Sequence, residues 1–427
     1  MKRTRKQITR LLTFILLVLS LLFSQTSCVI IYYVSDSNTD YACEYFDSYD
    51  VPDFDESKYK EFERVYNAYY YLELPAPKEM ARLTCEVFFE DYTKKLDTDD
   101  ENAVTEALIN AYLDVVGDKY SIYRSPVRDE EYDTEMSGTF YGIGVLASYH
   151  KKTESILISE VYENSGAMDA GILAGDHIVA VNGSYVSDIG YDDAISMIRG
   201  DENTTVDLTI IRGEDEFTVT ATRRKIVEKT VKYSINENKI GYVQITSFKD
   251  NTDEEFEAAI DYLESAGVVG VIYDVRSNPG GYLVSVINAL SYIAPTNTKL
   301  VTFSNNYGKP KYDNDSHYLE VPSVVIFDGD TASAGELFAA TIRDLDEVYE
   351  CFEVTTVGEK SYGKGIMQTR QTLSDGSSVT LTVAYYTPPN GENYHGVGIT
   401  PDRIVEEVSG RDAKLDAAYE EIYKLIN

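Results

Sequence analysis

The 427-residue chain has no tryptophan, only four histidines and four cysteines, and little positive charge. The histidines, at positions 150, 177, 317 and 395, form no HExxH pair, and Cys28, Cys43, Cys85 and Cys351 lie too far apart for a CxxC or CxxH pattern. That spacing argues against structural zinc, while leaving open either a disulfide in an exported chain or buried free thiols. Set against 72 Asp and Glu, the 38 Lys and Arg leave a net charge of −34, a field that repels phosphate and argues against a nucleic-acid partner. With 43% apolar and 26% charged residues and only 11 prolines, neither wholesale disorder nor a fibrous repeat fits. The length suggests two or three domains at about 150 residues each. Tyrosine is abundant at 36, which shapes packing and carries no specific chemistry.

The ends come next. Met1 to Arg10 hold five Lys or Arg, and the apolar run Leu11 to Phe23 follows, the layout of an export signal. Residues 1–34 are thus expected to be a signal peptide or membrane anchor. A lipoprotein cut before Cys28 competes with an uncleaved anchor, since Leu11 to Val34 exceeds the about 20 residues a span needs. Either way the bulk lies outside the cytoplasm, attached to the membrane through its N-terminal segment or secreted. Residues 35–57, rich in Asp and Ser, read as an acidic linker. A helical region, 58–136, follows: Tyr59, Phe62, Val65, Tyr66 and Tyr69 share one face, as do Val104, Ala107, Leu108, Ala111, Tyr112 and Val115. Those faces serve either a core or a dimerisation arm that would make a homo-oligomer.

Residues 137–226 change character. Short alternating strands carry Ile156/Ile158, Val206/Leu208/Ile210 and Phe217/Val219/Ala221, the last two joined around Gly213 as a hairpin. Tyr141-Gly142-Ile143-Gly144-Val145 leads into a strand, and Gly166-Ala167, Ala170-Gly171-Ile172, Gly175-Asp176 and Val181-Asn182-Gly183 follow in order. This string resembles a PDZ domain. Its glycines let backbone N–H groups converge on an anionic peptide end while an open sheet edge accepts the peptide as a strand. Gly142, Ile143, Gly144 and Val145 are the expected peptide-binding residues. His177 reads as packing in a helix-leading turn.

Three stretches of the last section, 227–427, carry chemistry. Val268 to Val275 reads as a buried strand, followed by Asn278-Pro279-Gly280-Gly281 and a helix over Leu283 to Ile293, so that amides at a helix start are free to hold developing negative charge. Next, Val324 to Phe327 runs into Thr331-Ala332-Ser333-Ala334-Gly335-Glu336. Ser333 and Glu336 have capping-box spacing, and the same position suits a nucleophile with Ala334 as oxyanion donor. The third stretch contains Gly363-Lys364-Gly365 and, four residues beyond the lysine, Gln368. An ordinary lysine is neutral in roughly one molecule in 2,500 at pH 7, so a basic Lys364 requires burial.

The order NPGG, TASAGE, GEKSYGKGIMQ behind a PDZ module resembles the carboxyl-terminal processing peptidases, also called tail-specific proteases. Gly117 to Ser121, Tyr385-Tyr386-Thr387-Pro388 and His395 to Asp402 extend the likeness. The resemblance implies Ser333 as nucleophile, Lys364 as general base, Gln368 as its orienting group, and Ala334 with Gly280 or Gly281 as oxyanion hole. It implies no metal and no cofactor, and protein or peptide substrates with accessible C-terminal tails whose docking on the PDZ domain can gate the protease. Three departures stand out: Gly335 in place of a second serine, Lys119 where proline is common, and a long stretch from Arg343 to Thr356.

The expected fold class is a multi-domain α/β (α+β) protein: a helical N-terminal region, a β-rich PDZ domain and a crotonase-like α/β protease core with a C-terminal helix. The expected function is that of an exported serine endopeptidase working through a Ser-Lys dyad. The alternatives are an inert PDZ-containing binding or scaffold protein and a Ser-His-Asp hydrolase using His395 or His317, although Ser333 lacks a GxSxG elbow.

Overall fold

The structure is a computed structural model that describes residues 41–304, 311–312, 317, 319–349 and 353–427. The expected export segment with Cys28, the start of the linker and Cys351 lie outside the described residues. Among the described residues no helix is long and apolar enough to cross a membrane.

A six-stranded sheet organises the last section, in the order Val231–Ile235, Ile240–Ile245, Gly270–Asp274, Ser323–Phe327, Val354–Gly358, Arg403–Ile404. The first pair is antiparallel and the rest parallel. Every residue of Gly270–Asp274 and Ser323–Phe327 is buried, which is why these strands read as unbroken apolar runs: both faces are covered. Val325 and Phe327 pack with Phe256, Leu290 and Phe338 of three helices, Thr252–Ser265, Leu283–Ile293 and Ala334–Tyr349. Val324 and Ile326 face the other way, onto Ala418 and Ile422 of the C-terminal helix Ala413–Leu425. The long stretch after Arg343 is helix rather than loop, since Ala334–Tyr349 runs on before the strand begins at Val354.

The helical region is not a separate body. Tyr59, Phe62, Tyr66, Leu108 and Tyr112 share one core with Val379, Leu381 and Val383 of the strand Ser378–Thr387. The two apolar helix faces are therefore taken up inside the chain. The strand Ile122–Arg124 adds to the same sheet, antiparallel to Ser378–Thr387. The linker reading of 35–57 needs correction from Ala42 onward: Ala42–Tyr49 forms a 3-10 helix that buries Ala42, Cys43 and Phe46. Their spacing lay hidden in an acidic composition, and the buried Glu63 carboxylate accepts the Ala42 amide at 2.7 Å. Cys43 and Cys85 are buried free thiols.

The section that resembles a PDZ domain has its own core. Its strands run in the order Val145–His150, Ser155–Val161, His177–Val181, Thr205–Arg212, Asp215–Thr222, with Tyr191–Ile198 as its longest helix. Arg212 pairs with Asp215 across a two-residue turn in which Gly213 has φ +66°, the hairpin its glycine signalled. His177 opens a strand, not a helix, and its Nδ1 meets Ser155 Oγ at 2.8 Å.

Candidate active site

Ser333 sits at the turn from the strand Ser323–Phe327 into the helix Ala334–Tyr349 with φ +55°, left-handed for a residue that has a Cβ. An ordinary N-cap residue is extended and caps with its hydroxyl. Here only the reciprocal half of the capping box is made: the Ser333 amide donates to Glu336 Oε2 at 3.0 Å. The Ser333 hydroxyl makes no capping bond among the described residues. The bland reading of Ser333 as a helix cap therefore fails on geometry, and its hydroxyl is left for other work.

Glu336 is fully buried and does more than sequence spacing indicated. Its Oε2 also accepts the Lys364 amide at 2.7 Å, and its Oε1 accepts the Gly363 amide at 2.6 Å and Ser361 Oγ at 2.5 Å. Four donors satisfy a carboxylate whose burial would otherwise be costly. One side chain thus ties the serine turn to the lysine loop. Tyr386 adds a further hold on the lysine loop: its hydroxyl donates to the Lys364 carbonyl at 3.0 Å.

The side chain of Lys364 is half-buried, and its Nζ stands 4.8 Å from the centre of the Tyr120 ring, with no hydrogen-bond partner among the described residues. Burial lowers its pKa, Lys119 adds to that, and the charges of Asp118 and Glu336 oppose it. Gln368 Nε2 donates to the Tyr120 carbonyl, so Gln368 and Lys364 meet the same residue rather than each other directly. A register shift between Met367 and Gln368 interrupts the strand Ile366–Thr372 there.

The glycine loop packs directly on the serine. A Cβ on Gly280 would stand 2.7 Å from Ser333 Cβ and 2.9 Å from the Ala334 nitrogen. The Gly280 amide is already committed to Asn278 Oδ1 at 2.8 Å, whereas the amides of Gly281 and Ala334 donate to nothing among the described residues. Buried Asn278 is fixed in turn by donating to the Ile245 carbonyl at 2.8 Å and accepting Ala332 N–H on its own carbonyl at 2.9 Å. In the sequence Asn278 is no more than part of a loop motif, and Tyr120, Tyr386 and, beyond the cap, Glu336 carry no mark of a role. Only Glu336 left a signal, its three-residue spacing from Ser333.

Of the two histidines weighed as bases, His317 binds the Tyr292 carbonyl and Glu264, neighbours unconnected with Ser333. His395 stands closer, its ring 6.0 Å from that of Tyr120 and its buried Nδ1 without a partner among the described residues. Burial lowers its pKa, which keeps it neutral.

The PDZ groove lies between the strand Val145–His150 and the helix Tyr191–Ile198, a cavity of about 720 Å³ lined by Ile143, Val145, Ala147, Ile178 and Ile195 among others. Val145–His150 is the outer strand of its sheet, and the amides of Ile143 and Gly144 donate to nothing among the described residues. Gly144 has φ +78°, and a Cβ there would strike Ser165 Cβ at 2.4 Å. The groove's rim includes Glu131, Thr134 and Glu135 of the helix Pro126–Met136. On another side of that helix Asp129 and Asp133 pair with Arg370, two residues beyond Gln368.

A sheet-and-helix core thus brings the main chains of a serine and a lysine onto one buried carboxylate, beside a free glycine amide, in a chain that also carries a separate β-rich section with a peptide-sized groove. The chain belongs to peptidase family S41: residues 239–405 match the model of Peptidase family S41, and residues 157–212 match that of the PDZ domain. It is 35% identical over 314 residues to the carboxy-terminal processing protease CtpA of Bacillus subtilis, covering 73% of this chain and 65% of that protein. It is 32% identical over 316 residues to a probable CtpA-like serine protease of Staphylococcus haemolyticus, covering 73% and 61%. The chain thus spans just under two thirds of the length of these relatives. The structure of a putative S41 protease from Bacteroides fragilis shares the fold, with a TM-score of 0.55 at 17% identity over 85% of this chain and 97% of that one.

Proposed function

We propose that the chain is an exported serine endopeptidase that captures C-terminal tails in its PDZ groove and hydrolyses peptide bonds with Ser333 and Lys364. The observation that carries this is the shared carboxylate: both main chains are fixed to Glu336 Oε2, which leaves the serine hydroxyl and the lysine amine as the free, reactive ends. Likeness to the carboxy-terminal processing protease of Bacillus subtilis supports the substrate class.

In the reaction, neutral Lys364 moves from the Tyr120 face and takes the Ser333 hydroxyl proton as Oγ attacks the scissile carbonyl carbon. The amides of Ala334 and Gly281 hold the tetrahedral oxyanion. Gly281 is preferred to Gly280 because the Gly280 N–H is already spent on Asn278. The lysine then returns its proton to the leaving amine, and water releases the acyl group from Ser333. Gln368 keeps Tyr120, and with it the resting place of the amine, in position. A tail in the PDZ groove adds a strand along Val145–His150 with its carboxylate on the amides of Ile143 and Gly144. The Asp129 and Asp133 pairs to Arg370 supply a route from that groove to the catalytic strand. The basic and apolar segment 1–34 supports placement outside the cytoplasm, held at the membrane or released from it.

The test is cleavage of an unstructured protein with an apolar tail by the full chain in detergent, comparing wild type with Ser333→Ala and Lys364→Ala. Loss in both variants is expected. Activity retained by Lys364→Ala transfers the base to His395. Tail binding without product in all three returns the inert scaffold. Protease protection in intact cells tests the compartment.

A further inference from the structure

Lys119 has no part in the chemistry set out above, yet it is bound into the same aromatic cluster. The helix Glu101–Val116 ends on Gly117 at φ +72°, and Asp118 then fixes the following loop. Its Oδ1 accepts the Tyr120 amide at 3.1 Å, and its Oδ2 accepts Ser121 Oγ at 2.8 Å and Thr382 Oγ1 at 2.7 Å. From this rigid loop Lys119 Nζ donates to the Tyr362 hydroxyl at 3.3 Å and stands 4.8 Å from the centre of the Tyr120 ring. Lys364 Nζ stands 4.8 Å from the centre of that same ring. Two amines thus share one aromatic ring.

We propose that Lys119 is a positioning residue that favours the neutral, proton-accepting form of Lys364 by keeping a positive charge over the same Tyr120 ring. The inference rests on the reading of Lys364 as the base. Two ammonium groups over one ring repel, and the one less well hydrated gives up its proton more readily. Lys119 is exposed and its pKa is raised by its tyrosine neighbours, so it stays charged; Lys364 is half-buried and yields. The other charges facing Lys364 are the carboxylates of Asp118 and Glu336, which favour its proton, and His395, which is kept neutral. Tyr120 has a raised pKa through burial, and Tyr386 likewise, so neither contributes a negative charge at neutral pH. Lys119 is therefore the cation set against two carboxylates. A proline at this position would remove that charge.

The experiment is the pH profile of kcat/KM for the full chain on an unstructured protein with an apolar tail, using wild type, Lys119→Gln, Lys119→Arg and Lys119→Glu. On the acid limb, where rate follows the fraction of free enzyme with a neutral base, Lys119→Gln should lose roughly threefold, the Coulomb effect of one exposed charge over the same ring. The loss should vanish on the alkaline plateau. Lys119→Arg should restore the wild-type limb, and Lys119→Glu should move it further toward high pH. High salt should move the wild-type limb in the same direction and leave that of Lys119→Gln nearly fixed, because the contact is solvent-exposed. A limb unchanged in Lys119→Gln overturns the proposal, as does a loss equal at every pH, which would mark Lys119 as a structural or substrate contact. Lys364→Ala, assayed alongside, separates the two failures: full activity there sinks the base assignment itself.

Discussion

The backbone amides of Ser333 and Lys364 donate to one atom, Oε2 of Glu336, at 3.0 and 2.7 Å. Residues 31 positions apart in sequence are thereby held in one register, with no hydrogen bond between their functional groups among the described residues. Glu336→Gln should test how much this register matters. The new amide group must turn its NH2 toward one pair of donors, breaking up to two of the four bonds. A displacement of about 1 Å at a reacting group costs about a hundredfold, so kcat should fall by about that factor while KM for a tail-bearing substrate changes little. Steady-state kinetics beside a thermal melt check it; a kcat within threefold of wild type would remove Glu336 from the catalytic framework.

Gly280 and Gly329 make a matched pair for the second prediction. Alanine at Gly280 places Cβ 2.7 Å from Ser333 Cβ at a φ of +102°, so the serine turn or the oxyanion loop must move. Alanine at Gly329 meets only the Lys360 carbonyl oxygen, at 3.7 Å, which is ordinary contact. Gly280→Ala should lose at least a hundredfold in kcat/KM and melt lower, whereas Gly329→Ala should stay within a few-fold of wild type. Similar activity in both would show that the loop does not press on the nucleophile.

Much of this site was legible because its parts sit at element ends that the sequence marks strongly. The strands Gly270–Asp274 and Ser323–Phe327 read as apolar runs, each followed by a small-residue turn and a helix, and Ser333, Gly280 and Gly281 occupy those turns. What stayed hidden was the partnership across long sequence separations. Nothing local distinguishes Tyr120 from the many other tyrosines, and only the folded chain brings its carbonyl to Gln368 and its ring to Lys364. The packed start at Ala42 was hidden for a different reason: its acidic surroundings look solvated, and its few apolar residues gain their value only against helices that come later.

Burial of Lys364 also has a consequence for stability. Its pKa in the folded chain lies below the ordinary value of 10.5, so between those two values the unfolded chain binds more protons and stability rises with pH. Below that window the folded chain carries the full cost of a half-buried ammonium. Lys364→Met removes the cost while keeping the apolar stem, so it should be inactive yet melt at a higher temperature than wild type at pH 7, with the gap narrowing as the pH approaches 10.5. A melting point equal to wild type throughout would mean that Tyr120 and the nearby carboxylates fully compensate the buried charge.

Tail capture and bond cleavage are separable by the same logic. Ile195 lines the PDZ groove from the helix Tyr191–Ile198 and is only partly buried, so a charge placed there meets the incoming side chain without emptying the domain's core. Ile195→Asp should weaken binding of an apolar-tailed peptide by at least tenfold, since about 2 kcal/mol is lost when an apolar side chain forfeits its pocket. Ser333→Ala should bind the same peptide as wild type does, and Ile195→Asp should still cleave, at saturating concentration, a substrate whose tail has been removed. Fluorescence anisotropy with the labelled peptide measures the first two, and a gel assay the third. If Ile195→Asp binds normally, tails dock elsewhere, and the open edge at Val145–His150 has a different occupant.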